Sequence, residues 1–294
     1  MTVDVVVVGA GPAGLSAALN LVRARRSTVV LDSNRPRNAA TLASHGFLTR
    51  DGISPLELRS LGRDELAKYP ESEFRKTVVT SIVRDGDEFV VTDKTGETRT
   101  RTVLITTGLT EVFPALPMLR AFYGTSIHSC IACDAYEYAD RPIGLIGETD
   151  DLAARALLLS QWSRDLIVFT NTIGVVTDEE EANLASRGIR VDRRAVADAA
   201  GDRTGLTGVL LADGDTVPLD GLFVRPIFVP KLDYAEALGL TVNADGLLEV
   251  DADGRTSVPG VYAAGDSTPP GPQQLIVAAG AGARTAAAIT LDLI

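Results

Sequence analysis

The chain has only two cysteines and two histidines in 294 residues, and this scarcity limits its chemistry. A structural zinc site wants four ligands. Here it would consume Cys130, Cys133, His45 and His128 together, so no metal is expected. A single Cys-x-x-Cys pair in a cytoplasmic chain reads as redox chemistry rather than structural stapling. Positive charge is in deficit, with 28 Lys and Arg against 39 Asp and Glu and a formal net charge of -11. That balance disfavours nucleic acid, an anionic membrane surface and an acidic protein partner. No apolar run approaches the roughly 18 residues of a membrane span. The N-terminus enters a strand pattern at once, which argues against a signal peptide. These exclusions predict a cytoplasmic chain with no membrane or nucleic-acid partner.

What is present is organised around Cys130-Ile131-Ala132-Cys133-Asp134. Two residues separate the thiols, so they can meet across one turn of chain. The pattern fits a redox-active dithiol. Half a zinc site and two inert core thiols are the alternatives. The surroundings favour redox chemistry: a glycine motif upstream, a Gly-Asp motif downstream and an acid directly after Cys133. The length suits two domains, and 45% hydrophobic residues suffice for two cores.

Val3 to Val8 reads as a buried parallel strand. It runs into Gly9-Ala10-Gly11-Pro12-Ala13-Gly14 and a small-residue helix, Leu15 to Ala24. This is the dinucleotide fingerprint in its required context. Gly9 makes the tight turn, Gly11 admits a pyrophosphate, and Gly14 lets helix and sheet pack closely. A second strand, Ser27 to Leu31, ends at Asp32, where an acid is expected on a ribose hydroxyl. The motif alone does not separate FAD from NAD. Residues 35–52, with Arg37, Asn38 and His45, read as an ordered loop over the cofactor, in which His45 faces either the cofactor or solvent. Pro55 to Lys68 has helical spacing. Strands follow at Thr77 to Val83, Glu88 to Thr92 and Arg99 to Ile105, the last ending in Thr106-Thr107-Gly108.

A second βαβ unit starts near Glu111, with a strand at Pro142 to Ile146, a helix at Leu152 to Trp162 and a strand at Leu166 to Thr170. Its turn is Gly147-Glu148-Thr149-Asp150-Asp151-Leu152. Only the first small position survives, and Asp150 and Asp151 bring negative charge to the pyrophosphate position. One of these aspartates is expected to cap its own helix. Strands near Leu206 to Leu211 and Leu222 to Val229 complete the unit. The chain then returns through a strand from Thr256 that ends in Gly265-Asp266. Gln273 and Gln274 open a long Ala- and Gly-rich helix, Leu275 to Leu291.

The order of these motifs resembles the low-molecular-weight thioredoxin reductases, over nearly the whole chain. The Cys-x-x-Cys-Asp insertion in the second domain is the most specific part. The resemblance implies an α/β fold of two Rossmann-like three-layer domains. It implies a discontinuous FAD-binding domain (1–111 and 228–294) and a second domain (112–227) carrying the redox pair. FAD would be held by Gly9, Gly11, Pro12, Ala13, Gly14, Asp32, Arg37, Asn38, His45, Thr107, Gly108, Gly265, Asp266, Gln274 and Leu275. In that scheme Asp266 binds the ribitol and Gln274 lies near the flavin ring. A homodimer is also implied.

The chain departs from the family on the NADPH side. The second turn has lost its glycines, and Thr170-Asn171-Thr172 stands where the family has a basic cluster for the 2′-phosphate. Gln273 stands where the reductases usually carry Arg. This pattern resembles the dithiol oxidases of sulfur natural-product pathways, gliotoxin- and holomycin-type, as do Ser44-His45-Gly46-Phe47-Leu48 and Gln161-Trp162-Ser163. The resemblance implies a small dithiol substrate that meets Cys130, with Cys133 on the flavin side and oxygen as acceptor. Asp134, His45 and His128 are the candidate proton carriers, with the histidines better matched to neutral pH than Asp134 and His45 placed ahead of His128. The alternatives are a reductase fed by NADPH or ferredoxin, and a non-catalytic flavoprotein with a vestigial disulfide.

Overall fold

A computed structural model describes residues 2–294. The chain forms two compact units: residues up to Ala39 with Gly46–Thr110 and Val229–Ile294, and Ala40–His45 with Glu111–Phe228. The sequence reading placed the changeovers one residue away and left the short piece Ala40–His45 with the first unit. Strands Thr110–Val112 and Ile227–Val229 pair with each other where the chain crosses.

The first unit is built on a seven-stranded sheet. Val3–Val8 lies between Thr28–Asp32 and Gly96–Ile105, parallel to both. Ser72–Lys76, a strand not anticipated from sequence, adds in parallel beside Thr28–Asp32. Gly96–Ile105 is shared: its first half pairs with Glu88–Asp93 and its last three residues with Val261–Ala263. Alternation splits the central strand between two cores. Val5 and Val7 face the helices Pro12–Arg23 and Leu275–Asp292, while Val6 and Val8 face Ile82, Phe89 and Leu248. This is a three-layer α/β unit.

Against the expectation of no apolar run of that length, the C-terminal helix Leu275–Asp292 is long and apolar enough to cross a membrane by length and composition. Ala, Leu, Ile and Val lift its hydropathy, and its small residues serve packing here. A Cβ on Gly282 would sit 2.0 Å from the Ala13 carbonyl, so only Gly permits this helix approach. Ala278, Ala286, Ala288 and Ile289 are buried in the same core.

The second unit holds a five-stranded parallel sheet in the order Arg190–Asp192, Leu166–Phe169, Ile143–Gly147, Gly221–Arg225, Ile127–His128. A three-stranded antiparallel meander (Val196–Asp202, Gly205–Leu211, Thr216–Pro218) accompanies it. The expected strand Leu222 to Val229 is broken into two at Pro226, which has no N–H to donate. The strand expected from Thr256 forms only over Val261–Ala263, because Pro259 and Gly260, at φ +84°, turn the chain first.

Candidate active site

In the first unit the register aligns Val8 with Leu31 on one side and Ile105 on the other, and Ile105 with Ala263. The segments that follow therefore gather at one edge: the Gly9–Gly14 turn, Asp32, Thr106-Thr107-Gly108 and Gly265-Asp266. The three glycines of the turn do three different jobs. Gly9 has φ +105°, and a Cβ there would lie 2.5 Å from the Thr106 carbonyl oxygen. A Cβ on Gly14 would lie 1.9 Å from the Gly9 carbonyl oxygen. Gly11 faces open space, with nothing within 4 Å of a Cβ. It is the N-cap of a helix that starts with Pro12 and has no side chain capping it. The first-turn amides of Ala13 and Gly14 have no intrahelical acceptors, so a bare donor set faces that space. The donor set fits a pyrophosphate.

Asp32 was expected on a ribose hydroxyl. In the structure one oxygen accepts from the Ala10 amide at 2.8 Å, and the other from Arg59 Nη2 at 2.6 Å and the Asn34 amide at 2.8 Å. Arg59 Nε also donates to the Ala10 carbonyl. The pair is buried and clamps the glycine turn. Arg59 was not visible from sequence: it sits on helix Pro55–Leu66, and nothing in that helix's spacing marks it. Arg37 donates to Asp266 at 2.8 Å, so two expected cofactor residues pair with each other. Asn38 lies in the 3₁₀ turn Arg37–Ala40. Thr106 donates its hydroxyl to Val8 and Gly9 carbonyls, and Thr107 shares a hydrogen bond with Tyr234 at 3.0 Å. Burial pushes Tyr234 up to about 12. Gly108 and Gly265 both have positive φ. Gln274 is the N-cap of the last helix, which starts at Leu275.

In the second unit the edge strand Ile127–His128 delivers Ser129 and then the redox pair. Cys130 and Cys133 are joined as a disulfide with Cα atoms 5.3 Å apart. Buried Ile131 anchors the single helical turn Ile131–Asp134, and both sulfurs lie within 4.8 Å of an Asp134 oxygen. His128 is 8% exposed. Its Nδ1 lies 3.2 Å from Asp134 Oδ1 and its Nε2 3.1 Å from the Tyr138 hydroxyl. Tyr138 donates to the Thr125 carbonyl at 2.9 Å. Burial, and then the Asp134 charge, push the Tyr138 hydroxyl above its ordinary range. His45 goes with this unit, 3.6 Å from Glu137. The structure thus brings His128, Asp134 and the cysteines together and sets His45 against Glu137. Sequence reading did not find Tyr138, nor Ser129 and Tyr123, which both donate to Glu111 at 2.7 Å.

The second glycine turn is closed by protein. Val175 donates its amide to the Thr149 carbonyl, and Asn171 donates to Glu148 at 2.8 Å. A Cβ on Gly174 would lie 2.5 Å from the Gly147 carbonyl and 2.6 Å from Leu152 Cδ1. The segment Thr170–Val175 therefore packs against the turn and is bonded to it. Asp151 holds the N-cap position of helix Leu152–Leu159, but its side chain makes no capping bond. The capping expectation fails because its carboxylate is taken by Thr149 Oγ1 at 2.7 Å and Arg225 Nε at 2.8 Å. Burial raises this carboxyl, but the Thr149 and Arg225 bonds outweigh it and hold it below the usual range. Arg193 and Arg194, beyond the neighbouring strand, are likewise committed to Glu181 and to Asp192, Asp213 and Asp215.

Residues 3–282 match the family described as pyridine nucleotide-disulphide oxidoreductase. The chain is 34% identical to a probable thioredoxin reductase of Arthroderma benhamiae over 175 residues, spanning 43% of that protein. It is 30% identical to thioredoxin reductase tcpT of Claviceps purpurea, covering 90% of this chain and 86% of that one. The crystal structure of HlmI superimposes with a TM-score of 0.94 at 37% identity, covering 99% of this chain and 92% of HlmI. The coverage, the bare glycine turn and the paired cysteines agree: the chain belongs to the pyridine nucleotide-disulphide oxidoreductases, as a thioredoxin reductase-like protein that binds FAD.

Proposed function

We propose that the protein is an FAD-dependent dithiol oxidase, which closes an intramolecular disulfide in a small dithiol and passes the electrons to oxygen. One observation carries this reading: the cofactor turn at Gly11 is open, whereas the second nucleotide turn is bonded to Thr170–Val175 and carries the engaged carboxylates of Glu148 and Asp151. The arginines that act on this turn, Arg225 and Arg155, face Asp151, and Thr170-Asn171-Thr172 follows the next strand without a basic residue for a dianionic phosphate. The two-electron source is then the thiol side. A substrate thiolate attacks Cys130, the Cys130–Cys133 bond breaks, and the electron pair stays on Cys133. The second substrate thiol attacks the mixed disulfide and expels Cys130, so the product leaves oxidised and the protein holds both electrons. FAD, when bound, takes those electrons and gives them to oxygen as hydrogen peroxide. A dithiol is favoured because resolution within one molecule has effective molarities of up to about 10⁵ M or more. The likeness to HlmI and the motifs resembling holomycin-type oxidases support a compact dithiol of that kind. A homodimer is part of this proposal.

The test is anaerobic. A small cyclising dithiol should bleach the flavin and NADPH should not. In air, oxygen uptake should match peroxide and disulfide one to one, and Cys130→Ser and Cys133→Ser should each reduce turnover to background. Rapid bleaching by micromolar NADPH would reverse the reading in favour of a reductase, the activity that the name of the Claviceps relative carries.

A further inference from the structure

The hydrogen bonds around His128 can be counted, and the count does not close without an extra proton. Tyr138 has one hydroxyl proton. It goes to the Thr125 carbonyl, an oxygen that can only accept. Toward His128 the Tyr138 oxygen is therefore an acceptor, and Nε2, 3.1 Å away, must carry a hydrogen. Nδ1 then faces Asp134 Oδ1 at 3.2 Å. A neutral Nε2–H imidazole offers a bare lone pair there, and an ionised carboxylate offers another. Two acceptors facing each other, on buried His128 and largely shielded Asp134, would repel. The contact is attractive only if one proton lies between them, as imidazolium with carboxylate or as imidazole with carboxylic acid.

We propose that Tyr138, tied to Thr125, is a positioning residue that fixes the hydrogen on His128 Nε2 and so keeps one proton between His128 Nδ1 and Asp134, beside the disulfide. The proton serves the sulfur that leaves when the disulfide opens. An incoming thiolate, its own proton already lost to water, forms a bond to Cys130 and breaks the Cys130–Cys133 bond. The electron pair goes to Cys133 and the stored proton follows it. The second substrate thiol gives its proton back to the His128–Asp134 pair, attacks the substrate sulfur of the mixed disulfide and releases Cys130 as thiolate. The pair ends as it began. The other charged groups that act on Tyr138 are Arg141, Glu137 and Asp220. This inference deepens the thiol-exchange reading but needs neither oxygen nor a particular substrate, because a reductase opens the same bond.

Two histidines in the chain make the test direct. Long-range proton–nitrogen spectra of ¹⁵N-histidine holoprotein, with a His45→Asn variant for assignment, read which nitrogen of His128 is protonated. Nε2–H is expected across the neutral range, with Nδ1 either protonated or hydrogen-bonded. Tyr138→Phe keeps the ring that packs on Gly221 but removes the acceptor. The hydrogen should then move to Nδ1, and anaerobic opening by dithiothreitol should slow about tenfold with a displaced pH profile, a fraction of the full acid–base effect. A wild-type ring found as the Nδ1–H tautomer would overturn the proposal, whether or not the variant folds. An unchanged spectrum and pH profile in a folded Tyr138→Phe protein would also overturn it. Failure of oxygen uptake would instead strike the oxidase reading and leave these two measurements standing.

Discussion

The two glycine turns follow one strand–turn–helix plan and end in opposite states. In the first, Gly11 faces open space above an uncapped helix and Gly14 brings that helix against the strand. In the second, Thr149 and Leu152 occupy the corresponding positions, Leu152 is fully buried, and Thr170–Val175 bonds across the turn. The lesson is that strand–helix packing tolerates loss of the ligand. Layers need apolar faces, which Ile143–Gly147 and Leu152–Leu159 supply. A phosphate needs bare backbone, and that is lost with a few side chains.

The comparison breaks most severely at Gly14. Gly14→Ala must displace the Gly9 carbonyl, so we expect a protein without bound FAD and a stability loss of about 4 kcal/mol or more, seen as a large fall in melting temperature. Gly11→Ala meets no protein atom, so it should fold normally and lose FAD affinity alone. Absorbance at the flavin band and thermal melts separate the two; equal damage from both would refute the division of labour among the glycines. Next comes the clamp. Arg59→Met leaves Asp32 buried without its cation and should cost about 3–5 kcal/mol, read from denaturant melts, whereas an effect within error would show the clamp to be dispensable.

A smaller effect is expected at Asp151, which is about one-third exposed. Its folded carboxyl lies below the usual range, so its stabilisation is complete above the unfolded value of about 3.9 and is lost as pH falls through the folded value. Asp151→Asn should cost under about 1 kcal/mol at pH 7. The gap from wild type should close in acid; a gap that widens there has the wrong sign. The smallest effect sharpens the comparison. Restoring small residues with Thr149→Gly and Asp151→Ala should give no reduction by NADPH, because Thr170–Val175 still packs against the turn. Flavin bleaching by NADPH in that variant would show that side chains alone had closed the site.

Some of this was legible in advance because it is local. A run of valines, a turn that needs glycine and a helix of small residues are short-range choices, and the Cys130–Cys133 spacing fixes the pair within one turn. Strand ends were less legible, since Pro226 and Gly260 decide them through backbone constraints that a hydrophobic run does not reveal. The candidate bases divide the same way. His128 meets Asp134 through a loop of a few residues, whereas His45 meets Glu137 from 92 positions away, counting 137 minus 45.

By itself, then, the sequence determined two nucleotide-type α/β units, the cofactor turn and the redox pair, because each rests on periodicity or on spacing within a few residues. The tertiary structure decided what the polar groups do. Arg59 reaches Asp32 from a different helix, Thr170–Val175 packs against the second turn, and Tyr138 takes the Thr125 carbonyl and so sets the proton on His128. The reason is that a buried charge or hydrogen must be satisfied by whatever the fold brings within about 3 Å, and chain distance gives no measure of that.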